Sequence, residues 1–172
     1  MKNIQKLLVL VVMLLVVSWS QNSYAQQIAY IEAEAIVPEM AAYKRAKSEV
    51  EAYGKQLQKV LEQKQADMEA YYKEVMDSIK RGLMTPKQQQ EAEAKLQRMQ
   101  ADLQKDAMDA EKKLAQKESE LTKPIYEAFN QAISKVAKEN NYTYVLDKKF
   151  MLYSAGGIDA TEKVKTALGI SW

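Results

Sequence analysis

The sequence contains no cysteine and no histidine, and only five glycines and three prolines among its 172 residues. A thiol nucleophile, an imidazole base and an ordinary zinc site are therefore excluded. The double glycine in "AGGID" at 155–159 is too short a motif to cradle a phosphate. The carboxylates lie among lysines at helical spacings, which indicates a solvated surface. We predict that the protein is not an enzyme and has no catalytic, cofactor or metal site.

The first 25 residues predict a secretory signal peptide. Lys2 and Lys6 give a basic start, an apolar run follows at 7–17, and the small residues Ser23 and Ala25 mark a cleavage site. A membrane-spanning helix needs about 20 apolar residues, roughly twice this run, so an uncleaved anchor is the weaker alternative. We predict export and cleavage after Ala25.

Removal of this segment leaves a neutral chain. The full sequence has 25 basic and 23 acidic residues, and the signal segment holds two lysines and no acid, so 23 of each sign remain. Net charge therefore does not support a nucleic-acid binder. The tyrosines lie mainly at apolar positions of predicted helices and strands, which favours packing over stacking on bases. We predict no nucleic-acid partner.

The middle of the chain predicts two long antiparallel helices that form a hairpin arm at 39–139. Ala, Gln, Glu, Lys and Leu dominate it, a composition typical of long helices. Apolar residues recur every eleven positions, as in Leu57, Met68 and Ile79, and eleven residues in three turns give an almost straight apolar stripe. Pro124 is either a helix boundary or a hinge where the arm meets a body.

The tip of the arm is predicted at 81–86. Gly82 suits a left-handed helix end, and Thr85, Pro86 and Gln88 form the pattern of a capping box with proline at the first helical position. Leu83 and Met84 either cover each other or form an apolar fingertip that contacts a client or an anionic membrane surface. The basic residues around this tip are Lys80, Arg81 and Lys87.

Methionine and tyrosine side chains along the arm allow two interpretations. They either fill the seam between the helices or line an adaptable binding surface. Two helices alone cannot bury both sides of such an arm, which favours binding. The predicted binding residues of the arm and tip are Met68, Tyr72, Met76, Ile79, Leu83, Met84 and Met99.

The flanking segments, 26–38 and 140–172, predict a β-rich body with a C-terminal helix, so the fold class is α+β. Residues 28–31 alternate as a short strand, and "YTYVLD" at 142–147 with "FMLYS" at 150–154 predicts a β-hairpin. Asp159 and Glu162 predict the start of the closing helix. Such a small sheet is best buried by copies of itself. The predicted oligomer core comprises Ile28, Tyr30, Tyr144, Leu146 and Leu152.

Nearly the whole mature chain resembles the Skp/OmpH family of periplasmic chaperones. The resemblance rests on the opening "IAYIEAEAIV", the Lys/Gln/Glu-rich hairpin and, above all, "AISKVAKENNYTYVLDKKFMLYSAGGIDATEKV". It implies a periplasmic homotrimer in which a central β-barrel body carries three helical arms around a cavity. It also implies an ATP-independent holdase that binds unfolded outer-membrane β-barrel proteins and prevents their aggregation. Family members are often strongly basic, whereas this mature chain is neutral.

A second hypothesis is a structural coiled-coil protein of the envelope, acting as a spacer or as an adaptor for one folded partner. A single saturable complex with a folded protein, without any effect on unfolded chains, would favour it. The holdase hypothesis predicts the opposite pattern.

Overall fold

The computed structural model describes residues 27–170. The predicted signal peptide, residues 1–25, lies outside them, as do residues 26, 171 and 172. The chain is mostly helical, with two long helices and one small sheet, as predicted. The elements in chain order are β1 (Ile28–Ile31), α1 (Ala33–Ile36), α2 (Ala41–Lys80), α3 (Pro86–Glu139), β2 (Tyr144–Asp147), β3 (Ile158–Asp159) and α4 (Thr161–Ala167), with 3-10 turns at Val37–Glu39 and Lys148–Phe150.

The sheet is parallel, with β1 between β2 and β3. Ile28 pairs with Tyr144 and Tyr30 with Leu146, and β3 joins the other edge of β1. The predicted β-hairpin is therefore wrong. After β2 the Asp147 carboxylate accepts the Lys149 N–H at 3.1 Å and the chain enters a 3-10 turn, so 150–154 does not fold back on β2. The alternation of side chains indicated which residues are extended but not which strand they pair with.

The hydrophobic core lies between one face of the sheet and the helices. Ala29 and Ile31 of β1 are buried and contribute to this core. Because consecutive residues of a strand point to opposite faces, the alternate positions of β1 face away from it. The other buried core residues are Ile36, Val37, Met40, Ala46, Ile125, Phe129, Ala132, Val136, Ala160 and Val164. The final turns of α3 are therefore part of the body.

The arm consists of α2 and α3 packed antiparallel, with the seam bridged by two ion pairs. Lys117 Nζ lies 2.6 Å from Glu49 Oε1, and Lys64 is paired with Asp106 farther out. The hydrogen bond from Lys64 lowers the pKa of Asp106, and the same contact raises the pKa of Lys64. At a rise of about 1.5 Å per residue, α2 is roughly 60 Å long.

The signals that end and start helices at the tip are confirmed. Gly82 has φ +68° after the end of α2. Thr85 accepts the Gln88 N–H at 3.3 Å, and the Gln88 side chain accepts the Thr85 N–H at 2.8 Å, which completes the capping box. At the other end of α3, Asn141 has φ +57°, as expected for a left-handed helix end.

Other helix boundaries differ from the prediction. The first long helix begins at Ala41, because Pro38 is accommodated in a separate 3-10 turn. The closing helix has Ala160 at its N-cap, while the Asp159 carboxylate accepts the Thr161 N–H at 2.9 Å just outside it. Burial raises the pKa of Asp159, but the hydrogen bonds from Thr161 outweigh it and lower the pKa overall.

Pro124 lies inside the continuous helix α3. The interpretation of Pro124 as a helix boundary is therefore wrong. Its ring removes one helical N–H donor, and Ile125 immediately after it is buried in the body core. Pro124 is thus located where the arm leaves the body, and a hinge at this position stays a prediction.

Candidate functional site

The outer face of the sheet exposes an apolar surface. The register places Ile28 beside Tyr144 and Tyr30 beside Leu146 on this face. Ile28 and Leu146 are each 43% exposed and Tyr144 is 52% exposed. Four of the five residues predicted for an oligomer core therefore lie together on the face opposite the helices.

The fifth predicted residue, Leu152, lies in the loop after β2 and is fully exposed. Its neighbours Phe150 and Tyr153 are 82% and 84% exposed and were missed, although the apolar run "FMLYS" contains both. The end of this loop returns to the sheet. A Cβ built on Gly157 would lie only 2.9 Å from Cδ1 of Tyr30, so glycine permits this close approach. The end of the loop therefore packs closely against the outer face of the sheet, while the side chains of Phe150, Leu152 and Tyr153 stay exposed.

The apolar stripe of the arm is half-buried along most of its length. Of the 40 residues of α2, all of which the structure describes, only Ala46 and Val75 are buried. In α3 the buried residues other than Ala92 lie at Ile125 or beyond, in the body. The arm is therefore packed at its base and again near Val75 and Ala92, with half-buried side chains between.

Near its outer end the arm carries two grooves, which we name after two consecutive tyrosines of α2. The Tyr72 groove, about 470 Å³, is formed by Met68 and Tyr72 together with Leu96 of α3. Its remaining lining residues are Glu69, Lys73 and Gln100. The Tyr71 groove, about 650 Å³, contains Met84 and Met99. Adjacent residues of a helix do not share a face, so the grooves open on different sides of the arm.

The two tyrosines differ in what covers their rings. Lys95 Nζ lies 3.9 Å from the ring centroid of Tyr71, a cation–π contact. The cation–π contacts found among residues 27–170 do not involve Tyr72, and 52% of Tyr72 is exposed. The charged residues of the Tyr71 groove are Glu91, Lys95, Arg98 and Asp102.

The structure divides the predicted binding residues of the arm into three sets. Met68 and Tyr72 line one groove, and Met84 and Met99 line the other. The remaining three, Met76, Ile79 and Leu83, line neither groove. Leu96, Tyr71 and Lys95 were missed as site residues, although Leu96 belongs to the apolar stripe of the second helix and was detectable from that periodicity.

The tip presents Leu83 to solvent. Leu83 is 66% exposed, so Met84 does not cover it. The positive charge around it is partly compensated, because Arg81 pairs with Asp77 and Lys87 Nζ lies 4.0 Å from Glu91 Oε1. Lys80, in the last turn of α2, adds a further positive charge. The net positive charge of the tip is therefore smaller than its three cationic residues alone would give.

Pro124 contributes to an apolar groove at the base of the arm. The groove has a volume of about 320 Å³ and is lined by residues of both long helices. Its lining residues are Met40, Ala42, Arg45, Ala46, Glu49, Leu121, Pro124, Ile125 and Ala128.

Within residues 27–170 we find no group of acidic side chains that could hold a metal ion. None of the helices in this part of the chain is long and apolar enough to cross a membrane. The surfaces of this region that can contact other molecules are the outer sheet face, the grooves and the tip.

These features define a class of α+β protein in which a small parallel sheet carries one long antiparallel helical arm. The chain belongs to the OmpH-like family, since the family model "Outer membrane protein (OmpH-like)" matches residues 27–168. The fold is also similar to the crystal structure of a protein assigned as an OmpH-like outer membrane chaperone from Caulobacter crescentus CB15. The TM-score is 0.73 at 15% identity, covering 86% of each chain. No curated protein matches the chain significantly in sequence.

Proposed function

We propose that this protein is an ATP-independent periplasmic holdase that binds unfolded outer-membrane proteins between helical arms and prevents their aggregation. The observation that carries the proposal is the arm itself, whose apolar stripe is only half-buried and whose Tyr72, Leu83 and Met108 are more than half exposed. Apolar side chains left accessible along an arm of this length indicate an interaction surface. Membership in the OmpH-like family and the similar chaperone fold support the same assignment.

The working form would be a homotrimer whose sheets join into a β-barrel. The outer face of the sheet, with Ile28, Tyr144 and Leu146 about half exposed, would be covered by neighbouring copies. Both outer strands of the sheet, β2 and β3, also have an unpaired edge within the described chain, and such edges accept strands from other chains. Three arms projecting from one body would then enclose a cavity for the client.

Client binding would depend on many weak apolar contacts. Methionine is flexible and polarisable, so Met68, Met84 and Met99 can adapt to different client side chains. The mature chain is neutral, so attraction by net charge would contribute little, and only local charge such as that at the tip would matter. Bending at Pro124 would let the arms adjust to clients of different size.

The test uses the protein without residues 1–25 and an unfolded outer-membrane β-barrel protein diluted out of urea. Light scattering should give the mass of a trimer alone and of a 3:1 complex with the client, and turbidity should stay low at stoichiometric chaperone. Aggregation at the rate of the client alone would refute the proposal. A saturable complex with a folded partner only would establish the adaptor instead.

The tip is tested separately with the double variant Leu83→Ser/Met84→Ser. If the tip contacts clients, the variant should hold the barrel less well at unchanged oligomer mass. If the tip contacts an anionic membrane surface, binding to phosphatidylglycerol vesicles should fall instead. Unchanged holding together with unchanged vesicle binding would remove the tip from the mechanism.

A further inference from the structure

The Tyr72 groove has the composition of a receptor for one uncharged side chain. Met68 and Tyr72 are one helical turn apart on α2, and Leu96 closes the groove from α3. Its charged lining residues, Glu69 and Lys73, are of opposite sign, and Gln100 is neutral. The groove therefore has no net charge to complement, and its volume of about 470 Å³ falls within the range of roughly 300–1,000 Å³ of ligand pockets.

The groove is also anchored in a packed part of the arm. Val75, about one turn beyond Tyr72, is 7% exposed, and Ala92, about one turn before Leu96, is 3% exposed. These residues hold α2 and α3 together beside the groove. Its walls from the two helices therefore keep a defined spacing, which the half-buried middle of the arm does not ensure.

The ring of Tyr72 distinguishes an aromatic occupant from an aliphatic one. Leucine and tryptophan would both bury apolar surface in the groove, but only an aromatic ring also gains edge or face contacts with Tyr72 and a sulfur contact with Met68. The neighbouring Tyr71 offers less, because the ammonium of Lys95 already lies 3.9 Å from its ring centroid.

We propose that the Tyr72 groove binds an aromatic side chain of an extended, unfolded client segment. This inference rests on the proposed holdase function. Strands of outer-membrane barrels carry aromatic residues at both borders of their apolar band, so an unfolded barrel presents such side chains repeatedly. The groove would select client segments, whereas the rest of the arm would retain them without discrimination.

The experiment compares two soluble, unstructured, fluorescently labelled peptides that alternate apolar and polar residues and differ at one position, tryptophan or leucine. Anisotropy titration with the protein lacking residues 1–25 should show about two- to tenfold tighter binding of the tryptophan peptide. Tyr72→Ser should abolish this preference. Tyr126→Ser is the matched control, since Tyr126 is 49% exposed on α3 and lies outside the groove, and it should keep the preference.

A second pair of variants tests the methionine. Met68→Ser should reduce the preference, whereas Met108→Ser, at a methionine that is 65% exposed and outside the groove, should not. A peptide with benzoylphenylalanine at the variable position should cross-link on irradiation to the segment around Met68 and Tyr72, as located by mass spectrometry.

Equal binding of the two peptides by the unmodified protein would overturn the inference, as would an equal loss of preference in Tyr126→Ser. The barrel-holding assay separates this failure from failure of the proposed function. If the protein holds the unfolded barrel but shows no aromatic preference, only the role of the Tyr72 groove is wrong. If it does not hold the barrel at all, the holdase proposal fails.

Discussion

The substitution Gly54→Ala should stabilise the arm. Gly54 lies inside α2, and a Cβ built there would lie 3.6 Å from Cδ1 and 3.8 Å from Cδ2 of Leu114 on α3. Both are ordinary van der Waals distances, so alanine fits without displacing the facing helix. Alanine is better than glycine in a helix interior by about 1 kcal/mol, and each new carbon contact adds roughly 0.1–0.2 kcal/mol. We expect the arm to gain about 1–1.5 kcal/mol.

Gly82→Ala is the matched control, since the same chemical change should have the opposite sign there. Gly82 has φ +68° and no atom within 4 Å of a built Cβ, so the effect comes from backbone strain alone. The left-handed conformation costs an L-residue about 1–2 kcal/mol, offset by roughly 0.4–1 kcal/mol from the restricted unfolded chain. We expect a net loss of about 0.5–1 kcal/mol at the tip.

Hydrogen exchange followed by mass spectrometry measures these changes in stability separately for α2 and for the tip. Peptides around Gly54 should exchange about five- to tenfold more slowly in Gly54→Ala, since roughly 1.4 kcal/mol corresponds to a factor of ten. Peptides around the tip should exchange faster in Gly82→Ala. Faster exchange in Gly54→Ala would contradict the packing at Leu114, because it would mean that the added Cβ clashes with α3. An unchanged tip in Gly82→Ala would contradict the left-handed helix end.

Three further predictions follow from the packing and the ion pairs. Phe129→Ala, at a core position 7% exposed, should lower the free energy of unfolding by about 3–5 kcal/mol in urea, whereas Tyr126→Ala on the exposed side should change it by less than about 0.5 kcal/mol. Thr85→Ala should cost about 1 kcal/mol and speed exchange in the first turn of α3 without altering the body. The Lys64 hydrogen bond lowers the pKa of Asp106 from its usual value of 3.8. This pair therefore stabilises the arm above about pH 4, and its contribution is lost as the pH falls through the lowered pKa. An NMR titration should show the lowered pKa of Asp106, and Lys64→Met should raise that pKa.

The helical part of the fold was predictable because its signals are local. The eleven-residue spacing of apolar side chains and the cap residues at the tip each depend on neighbours within a few residues, and Gly82 and Thr85 adopt the predicted conformations. Pro124 was ambiguous for a non-local reason. A proline can lie inside a helix when tertiary packing holds both sides, and here the buried side chain of Ile125 follows it directly.

The body was harder to predict because strand pairing depends on distant residues. "YTYVLD" and "FMLYS" are adjacent in sequence and show the same alternation, which favoured a hairpin. Instead, β2 pairs with β1, which precedes the whole arm in the sequence. The closing helix shows the same limitation. Lys165 is 7% exposed, with Nζ 3.5 Å from both Glu39 and Glu162, and a buried lysine of this kind cannot be recognised before its carboxylate partners are placed.

The two grooves were missed for a third reason, which concerns how the helices meet. Periodicity places Met68, Tyr72 and Leu96 on apolar stripes, but a groove forms only where stripes from two helices lie beside each other. The ion pairs Glu49–Lys117 and Lys64–Asp106 show how the two helices are aligned, and these pairs become visible only in the folded arm. Sequence spacing within one helix contains no such information.

Formation of the parallel sheet in the body also depends on folding of the arm. β1 and β2 are neighbours in the sheet but lie more than a hundred residues apart along the chain, with the whole arm between them. Pairing of such distant strands is costly in chain entropy. A hairpin that closes first, from the capped tip at Thr85 towards Phe129, would bring the two strands together and reduce that cost. Weakening the cap at Thr85 would therefore slow formation of the sheet, and most of the stability lost in Thr85→Ala should appear as a lower folding rate rather than as a higher unfolding rate.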